Sequence, residues 1–195
     1  MNGELWLKYF EKVIESHRKQ SPLGTSPKDS EWTKFMGEVI DEVAKEMGCE
    51  VTRRRPGDKD RSGEYLNIDA FFVDKAAFEN KPPEYDPFVL PLAVVELENS
   101  DEVNKITYCL WKILCIRAPI RVLICYQSNN VKIKELRQQL ERVIQNGGLM
   151  KKDNGDLLVI IGDESKKEWK SYFDEFFSVF MWQNDKLINP RRALP

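Results

Sequence analysis

Three continuous apolar runs, "VLPLAVVELE" (89–98), "IRVLICYQ" (120–127) and "DLLVIIGD" (156–163), constrain the fold of this chain more than any other feature. Each has the length of a strand, and none alternates with polar residues as a half-exposed strand would. Strands of that kind belong to a sheet covered on both faces. The segments between them have the other periodicity. Ser100, Asp101 and Glu102 mark a helix start, after which Val103, Ile106, Leu110, Ile113 and Leu114 repeat at helical spacing. That helix is predicted to run through Arg117 and to stop at Pro119. "VKIKELRQQLERVIQN" is a second amphipathic helix, closed by Gly147 and Gly148. Strands joined by helical crossovers argue for a layered α/β domain with a mixed sheet.

The flanking segments extend this frame. "ELWLKYFEKVIES" is an amphipathic helix, broken by "QSPLGTSPKDS", after which Ser30 can cap a second helix, "EWTKFMGEVIDEVAKEMG", that ends at Gly48. "CEVTRRRPGDKDRSGEYLNIDAFFVD" has the look of two strands joined by a charged, glycine-containing turn, the second strand carrying Asp69. "KAAFENKPPEYDPF" is a proline-rich surface excursion. Near the end, Trp169, Phe173, Phe176, Phe177 and Phe180 have helical spacing, which predicts an aromatic helix used as core or dimer contact, followed by a loose tail. The whole of 1–195 is expected to form one domain: an N-terminal helix and linker (1–29), a core (30–163), and the aromatic helix with its tail (164–195).

Composition excludes several function classes. With 42% hydrophobic and 32% charged residues, a chain of 195 residues can bury a substantial core. A net charge of -2, from 30 basic and 32 acidic side chains, argues against a generally basic nucleic-acid coat protein but permits a locally basic cleft. Cys49, Cys109, Cys115 and Cys125 show neither CxxC spacing nor the density of a disulfide scaffold, so they are expected to be buried, reduced thiols of a cytosolic protein. His17 is the only histidine, on the polar side of the first helix, which leaves little with which to build a histidine zinc site, a Ser/His/Asp triad or a Cys/His pair. No run approaches the roughly 20 apolar residues of a membrane span. "MNGELWLKYF" is acidic and amphipathic rather than signal-like. A soluble, cytoplasmic protein with no membrane partner is the expectation.

Against that background, two acids stand out. Side chains alternate along a strand, so Glu96 and Glu98 share one face while Val95 and Leu97 take the other. Two ionised, unpaired carboxylates beside a core would cost several kcal/mol. Basic partners, a shifted pKa, solvent or a divalent cation would relieve that cost. Asp69 interrupts another apolar strand in "NIDAFFV", and one carboxylate from each of two neighbouring strand ends makes a hard oxygen site suited to Mg²⁺. Such an ion polarises a phosphate and generates hydroxide near neutral pH, which is the chemistry of phosphodiester hydrolysis.

From about Glu31 to Gln127 the order helix, three strands, helix, strand, with an acid on the first helix, Asp69 on the second strand and "VELE" on the third, resembles the PD-(D/E)XK nuclease superfamily. The resemblance implies a restriction-endonuclease-like αβββαβ core, Mg²⁺ or Mn²⁺ as cofactor, and nucleic acid, first of all DNA, as substrate. It assigns Asp69 and Glu96 to the metal, Glu98 to the position of the usual lysine, and Glu38, or else Glu42, to the acid of the first helix. No proline precedes Asp69, and Glu98 stands in place of lysine, as in Glu-x-Glu restriction enzymes of the superfamily. In other members the lysine has moved to the next helix, a role Lys105 can take. Arg53, Arg54 and Arg55 in the charged turn, and Lys112 on the face shared with Lys105 and Tyr108, are the candidate phosphate contacts. Each has a plain counterpart: the turn's acids nearly cancel its bases, Glu38 and Glu42 suit a wet helix face, as do Lys105, Tyr108 and Lys112, Asp69 could be a strand-end residue bonded to backbone amides, and Glu96 and Glu98 could be paired with the arginines or with Lys105. The alternative function is a catalytically silent module of the same fold that binds nucleic acid or a protein. Cutting both strands of a duplex would favour a homodimer.

Overall fold

The computed structural model describes residues 1–20, 29–53, 67–80, 89–148, 155–166 and 173–191. In chain order these form α1 (Gly3–Gln20), α2 (Asp29–Glu46), β1 (Cys49–Thr52), β2 (Ala70–Asp74), α3 (Lys75–Glu79), β3 (Ala93–Glu98) and α4 (Val103–Leu114). β4 (Ile120–Gln127), α5 (Asn130–Gly147), β5 (Asp156–Asp163), α6 (Phe173–Phe176), β6 (Phe177–Gln183) and β7 (Lys186–Ile188) complete them. The strands build one open mixed sheet in the order β1-β2-β3-β4-β5-β6-β7. β1, β2 and β3 are antiparallel neighbours, β3, β4 and β5 run parallel, and β6 and β7 return antiparallel.

A core on each face explains the layers. Trp6, Phe10 and Ile14 of α1 and Phe35, Met36, Val39 and Val43 of α2 pack on one face against Val95, Val122 and Ile160. Ile106, Leu110 and Ile113 of α4 and Ile133, Leu136 and Leu140 of α5 pack on the other, against Val94, Leu123 and Val159. The two crossovers step the same way along the sheet, so their helices share a face. β4 is buried at every position, as its unbroken apolar run requires. Among the described residues no helix is long and apolar enough to cross a membrane.

Helix ends follow their capping chemistry. The Asn129 side chain accepts from the Val131 and Lys132 amides at the start of α5, and Gly148 closes that helix in the left-handed conformation, φ 63°. α4 stops at Leu114, short of the Arg117 expected from Pro119, and its end is held from the sheet. The buried Arg121 donates from Nε to the Ile113 and Ile116 carbonyls, both at 3.1 Å, and from a terminal nitrogen to Ile116 at 2.8 Å. Arg121→Ala would orphan these acceptors and open a void under α4. A loss of roughly 3 kcal/mol is expected in denaturant unfolding monitored by circular dichroism, against a near-neutral result if the guanidinium is dispensable.

The C-terminal segment departs from expectation. Residues 177–183 form strand β6, preceded by only a single helical turn, because Phe177, Val179 and Met181 face one core while Phe180 and Trp182 face the other. Pairing with β5 gives both aromatic rows a buried face, which a helix lying on the sheet could not do. Trp169 lies outside the described residues. The tail is tied down as far as Arg191, which contacts Glu11 and Asp174. The cysteines are free, and Cys115, at the end of α4, is exposed rather than buried.

Candidate functional site

Alternation on β3 puts Glu96 and Glu98 on the α4 face, since Val94, in step with them, belongs to the α4 core and Val95, out of step, to the α2 core. β2 pairs with β3 as Ala70 with Val95 and Phe71 with Val94. One step further along that register sets Asp69 opposite Glu96. Asp69 also reaches across to accept the Leu97 amide on Oδ2 at 2.7 Å. The two metal-site candidates, 27 positions apart in "NIDAFFV" and "VVELE", are therefore cross-strand neighbours, an arrangement that is repulsive when both are ionised.

Lys112 answers that repulsion. Its Nζ lies 2.8 Å from Glu96 Oε2 and donates to the Asn67 carbonyl at 2.7 Å. Glu96 is only 1% exposed, and among the described residues its second oxygen, Oε1, is buried without a close hydrogen-bond partner, the Cys109 thiol being the polar group beside the carboxyl. Burial, and then the Asp69 charge, push the Glu96 carboxyl up to about 7, against the opposing pull of Lys112. For Lys112 itself burial alone would lower the amine, but its hydrogen bond to Glu96 and the Glu96 charge carry it above the ordinary value. Burial, and then Glu96, push the Cys109 thiol up, so it stays protonated beside the acids.

The other candidates are placed elsewhere. Glu98 is used locally: Oε1 accepts the Ser100 amide at 2.8 Å, and the Cys109 sulfur lies 3.7 Å from Oε2. Lys105 is exposed and bound to Glu102 at 2.7 Å, which raises its pKa, with Glu98 a smaller contributor. Glu38 lies on α2, whose core side covers the opposite sheet face; it is exposed, 4.0 Å from Lys34. Glu42, also on α2, holds His17 at 2.9 Å, joining α1 to α2. The structure thus brings neither first-helix acid to Asp69 and Glu96. Arg53 clasps Asp41 through Nε at 2.6 Å and a terminal nitrogen at 2.7 Å, its guanidinium lying across Gly37, where a Cβ would come within 2.8 Å. Arg54 and Arg55 lie outside the described residues.

The cluster that forms is thus Asp69, Glu96 and Lys112, with Cys109 and the Asn67 carbonyl beside it. Lys112 had been assigned to phosphate contact rather than to the acids. Among the described residues no three or more His, Cys, Asp or Glu side chains converge as a metal cage. Two carboxylates do not suit zinc or calcium, which take most of their ligands from the protein, but they suit Mg²⁺, which keeps several waters and binds through one or two carboxylates. The buried Glu96 Oε1, which has no close partner among the described residues, with Asp69 opposite, fits such an ion. No family model, curated protein or solved structure matches the chain.

Proposed function

We propose that this chain hydrolyses phosphodiester bonds of nucleic acid, DNA in the first instance, with Mg²⁺ or Mn²⁺, as a PD-(D/E)XK-type nuclease on a restriction-endonuclease-like sheet. The observation that carries the proposal is the Asp69, Glu96 and Lys112 cluster: two carboxylates from adjacent strands with one amine against them. An antiparallel β1-β2-β3 meander, followed by the α4 crossover to a parallel β4, supports the architecture.

Asp69 and Glu96 would hold the ion. When bound, it would polarise a phosphoryl oxygen and lower the pKa of a coordinated water. An ammonium has three N–H donors. Among the described residues Glu96 and Asn67 engage two on Lys112, and the third would serve a phosphate oxygen or the attacking water. Lys112 therefore takes the part the resemblance gave to Glu98 or Lys105.

A silent module is the second reading, favoured by one observation: Glu96 is closed off and already paired with Lys112. In that reading Asp69 is the backbone acceptor for the Leu97 amide, a part that a neutral amide oxygen could also play, so it does not by itself call for a second carboxylate opposite the first. Two measurements on one preparation separate the readings. Supercoiled plasmid should be nicked only with Mg²⁺ or Mn²⁺, and calorimetric titration should show Mn²⁺ binding that Asp69→Asn weakens about 10-fold or more. A protein that neither nicks nor binds Mn²⁺ would be the silent module.

A further inference from the structure

The exposed face of α4 carries a feature that metal chemistry does not use. Tyr108 and Trp111 are 56% and 53% exposed, and their rings stack with centroids 6.0 Å apart and planes inclined by 21°. Large aromatics rarely stay in water without a reason, and two in register form a ready-made flat surface. The surface is joined to the acid cluster: the Lys112 amine that meets Glu96 also lies 5.5 Å from the centre of the Tyr108 ring. Lys105, one turn earlier on the same helix, puts a second exposed amine at the other end of the aromatic stripe.

Resting on the nuclease proposal, we infer that Tyr108 and Trp111 are a stacking platform for an unpaired base, so that the substrate presented to Asp69 and Glu96 is single-stranded or locally opened nucleic acid. The chemistry matches at each part: a ring stacks on a base, and the flanking amines meet its phosphates. Scale separates this occupant from a protein. A stable protein interface needs some 20–30 residues a side, whereas the large exposed apolar side chains of α4 are these two rings. A base needs no more than that.

The test is fluorescence anisotropy of a labelled oligothymidylate of about ten nucleotides, a length within single-strand site sizes, in EDTA so that no cleavage occurs. Wild type should bind it about 10-fold or more tightly than an abasic strand of equal length or a hairpin duplex. Trp111→Ala and Tyr108→Ala should each erase most of that preference, and Trp111→Phe should keep it. Both rings lie on the surface, so the thermal midpoint should not move in any of the three. Equal wild-type affinity for thymidylate and abasic strands, or an unaffected Trp111→Ala, overturns the platform. So does ring-dependent self-association in sedimentation, which would make the face an interface between copies. The two proposals fail separately. Plasmid nicking without base-dependent binding removes the platform alone, and ring-dependent binding with neither nicking nor Mn²⁺ binding removes the nuclease alone.

Discussion

Glu96→Gln is expected to lose metal-dependent plasmid nicking and, in EDTA at pH 8, to melt at a higher temperature than wild type. The two effects have one cause. The carboxylate proposed to bind a cation is held where burial and Asp69 disfavour its charge. Its folded pKa is raised, from the ordinary 4.5 to about 7. The folded state therefore binds the proton more tightly than the unfolded chain does between those values. Stability from this group is fully present below pH 4.5 and is lost as pH rises through 7, by roughly 3 kcal/mol in all. Glutamine keeps the shape without the charge, so the variant should lack that decline and melt about 5 °C or more above wild type at pH 8, with the two converging near pH 4. Excess Mn²⁺ should reverse the order, since only a protein that binds the ion gains stability from it. Thermal scans at several pH values, with EDTA and with Mn²⁺, read all of this. A variant that melts lower than wild type at pH 8 would make Glu96 a structural anchor.

The layered architecture was legible because burial writes itself into sequence period. β3, β4 and β5 are covered on both faces, so 89–98, 120–127 and 156–163 read as strands, the first four residues longer than β3 at its start, and the α4 and α5 stripes read as helices. β6 defeats the same method. When a strand is apolar on both sides, its aromatics also satisfy a helical spacing, and only the need to pair with β5 decides between them. The site was half legible. Asp69 and Glu96 announced themselves as acids in apolar strands, but nothing in the chain gives the register that sets one opposite the other. For Glu38 the helix position was readable, while the sheet face that its helix covers was not.

The second large effect separates two lysines that sequence treats alike. Lys112→Met should reduce nicking by about 10²–10³-fold, the scale of removing one donor aimed at developing charge, whereas Lys105→Met, which removes only an exposed phosphate-backbone contact, should cost nicking a few-fold at most and leave the thermal midpoint in place. The reason is a matter of rise per residue. α4 runs back over β3, and retreating from Glu98 to Glu96 covers about 6.6 Å, which is roughly four helical residues. Helical side chains lean toward the N-terminus, so the residue that reaches that level lies about a further turn along the helix. That brings Lys112 to Glu96 and leaves Lys105 beside Glu102. Lys112→Met would strand Glu96 and Asp69 together without their cation, so its stability loss of about 3 kcal/mol at pH 8 should shrink toward pH 5, where Glu96 is protonated in either protein. Parallel nicking assays and urea unfolding at the two pH values measure both consequences. Should Lys105→Met prove the inactive variant and Lys112→Met the active one, the Glu96–Lys112 pair would be only a fastening between sheet and helix, and the amine serving the phosphate would lie at the start of α4.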